Sequence, residues 1–215
     1  MDSAAIADEV RRHAHGRVPR ELRERQLLAV AEDLFAEAGY AGASMDELAR
    51  RAGVSKPVVY DLLGSKEEVF RRCVARQAGE LAGAVAAAVD DSDDPAARVR
   101  AGILAFFTFV RSHRRLWEAL TADVSPFAAE AADLRRRQAR LVATLLADSA
   151  AQLGVDIAAI RVDATAHLLN GAMEGLARWW GSHAEVSAEE LTSWAMSVVL
   201  PGLQEAVAGA QRDLQ

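Results

Sequence analysis

Apolar residues recur along this chain at intervals of three and four, the spacing of amphipathic helices, and the alternation typical of β-strands is nearly absent. A first apolar stripe occupies residues 19–39, and two shorter stripes occupy residues 44–53 and 55–64. Each stripe ends at a glycine, which is a common stop for a helix. The pattern predicts an all-α fold that begins with one long helix and two short ones.

Capping residues and one linker divide the rest of the chain. Serine followed three residues later by glutamate satisfies backbone N–H groups at a helix start, and this pair begins at Ser44, Ser65 and Ser187. The acidic run DDSDDP at residues 90–95 is the clearest linker. Nine or so helices are expected in total, the later ones beginning at Pro95 and covering about 116–122, 126–154, 157–180 and the residues from 187 onward.

The two short helices have the form of a helix-turn-helix. Gly53 permits a sharp turn between them, and Ala49 and Ala52 are small enough for the helices to cross closely. The residues left for the outer and leading face of the second helix are Ser55, Lys56, Pro57, Val58 and Tyr60. A helix N-terminus with a lysine, an apolar contact for a thymine methyl group and a phenolic hydroxyl suits the major groove and its phosphates. We therefore expect residues 44–63 to bind double-stranded DNA.

The distribution of charge changes the meaning of the net charge, which is −6. Residues 1–76 carry 13 basic and 13 acidic side chains, and the remainder carries 12 and 18, so the acidic excess lies outside the proposed DNA-binding segment. Six arginines between positions 11 and 25 form a basic arm that can contact phosphates, with a solvated tail as the alternative. The chain's two lysines, Lys56 and Lys66, both belong to the proposed DNA surface.

Residues 38–70, AGYAGASMDELARRAGVSKPVVYDLLGSKEEVF, resemble the DNA-binding domain of TetR-family repressors. The resemblance implies two groups of DNA contacts. The residues it places at base edges are Lys56, Pro57 and Val58. The residues it places at phosphates are Ser44, Tyr60 and Lys66. The family commonly has a His-Phe pair where this chain has Leu62-Leu63, so Leu63 can replace the phenylalanine in the core but Leu62 cannot replace a phosphate-binding histidine.

The resemblance also implies the domain organisation and the function. A flexible basic arm over residues 1–18 precedes a helix-turn-helix domain over 19–66 and a ligand-binding and dimerisation domain over 67–215. The implied function is that of a ligand-responsive repressor. Such a repressor would bind a palindromic operator as a homodimer and would be released by a small apolar or aromatic effector.

The implied homodimer is built from the last two helices, packed as a four-helix bundle across a two-fold axis. Small residues in the helix over 157–180 permit close approach of a partner. The residues expected at the interface are Leu168, Ala172, Gly175, Leu176, Trp179, Trp194, Val198 and Leu203. Large aromatic surfaces also suit a pocket, and simple core packing is the alternative for each tryptophan.

An effector pocket is expected among the helices of the C-terminal domain. The apolar side chains expected in it are Phe106, Phe107, Val110, Trp117 and Met173. His167, Asn170 and Glu174 recur at i, i+3 and i+7 as a polar stripe on a mostly apolar helix. In the pocket this stripe would orient a mainly apolar ligand that carries a donor or a cation, which Glu174 can meet.

Two other placements of the polar stripe stay open. The stripe faces water or pairs with Asp163 and Arg178 along the same helix, as neighbours one turn apart do. Alternatively, it lies in the dimer interface. The sequence does not choose among these placements, because each of them gives the polar groups a partner.

Sequence motifs for other functions are missing. The chain has no nucleophile elbow, phosphate-binding loop, zinc-protease motif or dinucleotide fingerprint, so we expect neither an enzyme nor a cofactor. His13 and His15 have no cysteine or carboxylate at metal-ligand spacing, so no metal site is expected. A helical DNA-binding adaptor controlled by a protein partner is the alternative to a ligand-sensing repressor, and a bound small molecule would distinguish the two by raising thermal stability.

The remaining features bear on location and redox chemistry. No apolar run reaches the about 18 residues of a membrane span, and the start of the chain lacks the apolar stretch of a secretory signal, so we expect a cytoplasmic protein without a membrane partner. Cys73 is the only cysteine and cannot form an internal disulfide. We expect it to be a buried structural thiol.

Overall fold

A computed structural model describes residues 3–13, 18–90, 94–121 and 127–213. In these segments the chain forms ten helices and no strand, which confirms the predicted all-α fold. The helices are α1 Ser3–Arg11, α2 Arg20–Gly42, α3 Met45–Ala52, α4 Lys56–Leu63, α5 Lys66–Asp90, α6 Pro95–Ser112, α7 Arg114–Thr121, α8 Ala128–Gln152, α9 Ala159–Trp180 and α10 Ala188–Asp213. Among these segments, no helix has the length and hydropathy needed to cross a bilayer.

The helix boundaries follow the local signals. The Ser44 hydroxyl accepts the backbone N–H three residues on at 3.1 Å. Ser187 and Glu190 cap one another, since the side chain of each accepts the backbone N–H of the other at 3.1 and 2.9 Å. Gly53 ends α3 with a φ of +66°, and Gly39 interrupts α2 with a φ of +68°. Both glycines adopt a backbone conformation that residues with a Cβ atom rarely take.

The N-terminal segment differs from the flexible arm expected over residues 1–18. Within it, α1 packs on α2, and its Ile6 side chain is buried against Leu22 and Ala29. The rest of the expected arm includes residues 14–17, which lie outside the described segments. The difference has a tertiary cause, because Leu22 and Ala29, the buried residues that cover Ile6, lie on a helix that follows later in the chain.

The chain divides into two compact units. The first comprises residues 1–77 and 115–122, and the second comprises residues 78–114 and 123–215. The division falls inside α5, so the first half of this helix belongs to one unit and the second half to the other. This division lies later in the chain than the domain boundary expected after residue 66.

In the first unit, α2 packs on α3 and α4, and aromatic and ionic contacts join it to α5. Phe35 and Phe70 meet edge to face with their ring centroids 5.2 Å apart. An ion pair between Glu24 and Arg72, 2.9 Å long, ties the first turns of α2 to α5. Glu32 and Arg76 form a second ion pair between the same helices. Apolar packing and two partly buried ion pairs therefore position α2 and α5 around the helix-turn-helix.

Cys73 lies in this core, and its side chain is fully buried. Its sulfur is 3.9 Å from the backbone oxygen of Leu28, and burial raises the pKa of the thiol above its ordinary value. The thiol therefore stays protonated and shielded from reagents, which agrees with the structural role expected from the sequence.

The second unit is built on two antiparallel pairings. α8 packs on α9, and α6 packs on α10 and also on α9. Phe107 is fully buried and meets Trp180 edge to face with ring centroids 5.9 Å apart. The indole N–H of Trp180 donates to the backbone oxygen of Val186 at 2.8 Å, so its polar edge is satisfied inside the unit.

Candidate nucleic-acid interface

The turn between α3 and α4 is held by backbone hydrogen bonds and by burial. The N–H of Val54 donates to the oxygen of Ala49 at 3.0 Å, and the Gln26 side chain on α2 donates to the oxygen of Ala52 at 3.3 Å. Val59 and Leu63, four residues apart on one face of α4, are both buried. These contacts fix the orientation of α4 relative to α2 and α3.

Burial of that face leaves the predicted DNA-facing residues of α4 exposed. The residues concerned are Ser55, Lys56, Pro57, Val58 and Tyr60. Val58 is 37% exposed and Tyr60 is 46% exposed, which is high for large apolar and aromatic side chains. The Ser55 side chain makes no capping hydrogen bond at the start of α4, where the N–H of Val58 donates to the backbone oxygen of Ser55 at 3.0 Å.

Lys56 has an acidic partner that sequence reasoning missed. Its Nζ atom lies 3.0 Å from the carboxylate of Asp46 in the first turn of α3, and both side chains are exposed. The hydrogen bond and the charge of Asp46 raise the pKa of Lys56. Asp46 is ten residues earlier in the chain, a spacing that becomes a contact only when the two helices cross.

Lys66 and Tyr40 form a second contact of the same surface region. The ammonium group of Lys66 lies 4.5 Å from the centroid of the Tyr40 ring. The Tyr40 hydroxyl donates to the Glu67 carboxylate at 3.1 Å, and burial with this hydrogen bond raises the pKa of Tyr40. A cation over an aromatic face keeps its charge while its orientation is restricted.

Arg50 and Arg51 are held within the protein. Both donate to the carboxylate of Glu47, at 2.7–2.8 Å for Arg50 and 2.7 Å for Arg51. These hydrogen bonds lower the pKa of Glu47 to about 2. Arg51 also pairs with Glu37 at 2.7 Å. The two arginines are therefore compensated side chains of α3 rather than free cations.

The two leucines that replace the family's His-Phe pair have different surroundings. Leu63 is buried, so it occupies the core position expected of the phenylalanine. Leu62 is half-buried, and its backbone oxygen accepts a hydrogen bond from Arg72 at 3.2 Å. The Leu62 side chain has no hydrogen-bonding group to offer a phosphate.

In the second unit, residues predicted for the dimer interface form an exposed apolar face on α9 and α10. Leu168 is 72% exposed and Val198 is 78% exposed. Trp179 and Trp194 are also exposed, and their ring centroids lie 6.3 Å apart, so the faces of α9 and α10 adjoin there. The other members of the predicted set are Ala172, which is exposed, and Gly175, Leu176 and Leu203, which are half-buried.

The residues predicted for the effector pocket are only partly brought together. Phe107, Val110 and Met173 are buried in the second unit, and Phe106 contacts Phe107 with ring centroids 5.3 Å apart. Trp117 belongs to the first unit. Its grouping with the other four residues stays a prediction.

Two members of the polar stripe on α9 have partners within the protein. The Glu174 carboxylate is buried and accepts two hydrogen bonds from Arg135 on α8, at 2.5 and 2.7 Å, and one from Arg178 at 2.8 Å. The His167 ring lies 3.6 Å from the Asp163 carboxylate and is exposed. Arg178 and Asp163 are the intrahelical partners named by one of the three sequence interpretations, whereas Arg135 was missed.

The exposed recognition helix and the helical second unit define a helix-turn-helix transcriptional regulator. Residues 27–73 match the family described as bacterial regulatory proteins, tetR family, and residues 95–202 match the tetracyclin repressor-like C-terminal domain. The chain belongs to the TetR family of bacterial regulatory proteins. It is therefore a DNA-binding regulator and not an enzyme, as predicted.

Similar proteins span most of the chain. One named HTH-type transcriptional activator FasR, from Mycolicibacterium smegmatis, is 34% identical over 194 residues, 79% of this chain and 87% of that protein. A TetR-like transcriptional regulator from Rhodococcus sp. RHA1 has 30% identity and a TM-score of 0.63 over 87% of this chain and 99% of that one. FadR from Bacillus subtilis, solved in complex with stearoyl-CoA, shares the fold with 14% identity and a TM-score of 0.68 over 81% and 96%.

Removal of the Asp46 carboxylate is predicted to strengthen DNA binding. In Asp46→Asn, the Lys56 charge loses its internal partner and one negative charge leaves the DNA surface. Affinity for DNA should rise, because the repulsion between Asp46 and the phosphates is removed, and the rise should shrink as salt screens these charges. Fluorescence titration at several salt concentrations measures both quantities.

Asp148→Asn is the control for this prediction, because Asp148 is exposed on α8 and its substitution changes the net charge equally. Equal effects of the two substitutions would show that Asp46 acts only through the net charge.

Proposed function

We propose that this chain is a ligand-responsive repressor that binds a palindromic operator as a homodimer and is released by a small, mainly apolar effector. The observation that supports the proposal most is that the chain has two separate exposed surfaces of different kinds. One is the exposed DNA-reading face of α4, and the other is the exposed apolar face of α9 and α10. The first needs a duplex, and the second needs a covering partner.

In the proposed complex, the start of α4 enters the major groove. Lys56, Pro57 and Val58 contact base edges, with Ser55 beside them at the helix N-terminus. Tyr60 and Lys66 hold phosphates on either side. Ser44 adds a further phosphate contact, because its oxygen accepts the capping hydrogen bond and its O–H remains able to donate.

Lys66→Ala should weaken binding to every duplex and flatten the salt dependence by about one unit, as the loss of one phosphate contact does. Lys56→Ala and Val58→Ala should instead change the preference among operator sequences, because these residues are assigned to base edges. Titrations against specific and scrambled duplexes separate the two effects. Arg140→Ala, which removes an exposed cation from α8, is the control for charge. An unchanged salt slope in Lys66→Ala would refute the phosphate assignment.

The proposed dimer covers the exposed face of α9 and α10 with the same face of a second copy. Leu168, Ala172, Gly175 and Trp179 are spaced four, three and four residues apart, so they form one stripe along α9. Leu176, Trp194, Val198 and Leu203 complete the proposed set. Two α4 helices related by a two-fold axis would then meet half-sites about 34–36 Å apart.

Leu168→Glu combined with Val198→Glu should yield monomers and abolish operator binding, because a carboxylate cannot be buried unpaired and a single half-site gives too little affinity. Light scattering and operator titration measure the two outcomes. Ile160→Glu is the matched control, since Ile160 is exposed on α9 outside the proposed stripe. A double variant that stays dimeric would refute this placement of the interface.

The proposed effector binds in the second unit. Its apolar part would contact Phe106, Phe107, Val110 and Met173. His167, Asn170 and Glu174 would supply or support the polar contacts. The stearoyl-CoA bound by FadR of Bacillus subtilis gives an example of an apolar chain bound by this fold. An effector that prefers the DNA-released conformation by a few kcal/mol shifts the population enough to empty the operator.

Activation is the second candidate, because the relative from Mycolicibacterium smegmatis is named an activator. A reporter gene placed behind the selected operator, in a host without related regulators, distinguishes repression from activation. Expression of the chain should lower reporter output if it represses. A rise in output would replace the repressor assignment by an activator and leave the DNA and dimer proposals unchanged.

A further inference from the structure

Arg98 is a buried cation to which the described part of the chain supplies no acidic partner. It lies in the second unit, one turn into α6, and is only 9% exposed. One terminal N–H donates to the side-chain oxygen of Gln152 at 3.2 Å, and the Nε–H is buried without an acceptor. Among the described residues, Arg98 forms no ion pair. A guanidinium has five donors, so most of its hydrogen-bonding capacity is unused.

The buried carboxylate of the second unit, in contrast to Arg98, has partners of opposite charge. Glu174 is equally buried and is compensated by two arginines, Arg135 and Arg178. A buried charge ordinarily needs such a partner, because water no longer stabilises it. Gln152 is the last residue of α8, and the partial negative charge of a helix C-terminus offsets only part of a full cation. Arg98 therefore carries a positive charge that the described residues do not neutralise.

The other unsatisfied buried groups of this unit are of the same kind. The buried side-chain atoms without a hydrogen-bond partner in its described residues are all donors: Arg98 Nε, Gln138 Nε2 and Asn170 Nδ2. Gln138 is 14 residues before Gln152 on α8, about 21 Å along the helix, so it lies away from Arg98. Of the three groups only Arg98 carries a charge, so a molecule that satisfies it must bring an anionic acceptor.

We propose that Arg98 binds an anionic oxygen group of the effector, a carboxylate or a phosphate, through its Nε–H and a terminal N–H. Such groups match the fork of a guanidinium and form its strongest hydrogen bonds. The inference rests on the proposed function and reverses the charge that the sequence suggested for the ligand. Glu174 is already neutralised, so the effector is an apolar molecule with an anionic end and not a cation.

A ligand-binding arginine and a structural arginine affect the stability of the free protein in opposite ways. A residue retained for a ligand leaves its donors unsatisfied when the ligand is absent, so replacing it by an apolar side chain of similar length removes a penalty. Arg98→Met should therefore be at least as thermally stable as the unsubstituted chain. A structural arginine would behave in the opposite way.

The experiment uses the full chain and four amphiphiles with the same alkyl tail, below their micelle-forming concentrations. These are dodecanoate, dodecyl phosphate, dodecanol and dodecyltrimethylammonium. Arg100→Met is the matched control, because Arg100 is exposed on the same helix, donates to Ser193 at 3.3 Å and carries the same charge. Thermal midpoints and dissociation constants are measured for each protein with each amphiphile.

We expect the two anionic amphiphiles to raise the thermal midpoint of the unsubstituted chain and of Arg100→Met. In Arg98→Met their binding should be weaker by about tenfold or more, with the midpoint of the free protein unchanged or higher. Preference for dodecanoate or for dodecyl phosphate identifies which anion the site takes.

Three results would overturn the proposal. They are a midpoint for free Arg98→Met several degrees below that of Arg100→Met, strongest binding of the cationic amphiphile, and binding that is absent or independent of the headgroup. Operator binding and dimerisation are measured on the same variants. If the unsubstituted chain neither bound the operator nor formed dimers, the proposed function would be refuted. The headgroup series tests the anion site by itself.

Discussion

The orientation of α4, the proposed DNA-reading helix, depends on the burial of two side chains, Val59 and Leu63. An eight-residue helix is not stable by itself in water, because nucleation costs more than so few hydrogen bonds return. α4 is therefore held by its packing on α2 and α3 across the turn at Gly53. The same packing decides which residues face outward, since burial of one face of a short helix exposes the face that carries Lys56 and Tyr60.

Charge in the first unit is largely compensated inside the protein. Arginines of α3 and α5 are paired with glutamates, and Lys56 is paired with Asp46. Exposed pairs of this kind contribute little to stability because water screens them. These ion pairs matter instead for the recognition of DNA. A cation that already has a carboxylate gains less from a random phosphate than a free cation does. We therefore expect binding to favour a duplex that also satisfies the proposed base-edge contacts.

The second unit presents two departures from an ordinary folded domain, and each has a different physical meaning. Its exposed Leu168 and Val198 leave apolar surface in water, which association with another protein surface removes. Its buried Arg98 leaves polar groups without partners, which a ligand with acceptors removes. Both properties suit the proposed regulator, because dimerisation would set the spacing of the two α4 helices and a ligand would change it.

The sequence by itself determined the features that depend on residues within one or two helical turns. The caps at Ser44 and Ser187, the turn at Gly53 and the exposed face of α4 were all predicted, because capping, backbone freedom and helical period are local properties. Tertiary structure alone decided which partners charged and isolated apolar groups find on other helices. The packing of Ile6 on α2 and the pairing of Glu174 with Arg135, 39 residues away, depend on how helices pack, which an amphipathic pattern does not specify.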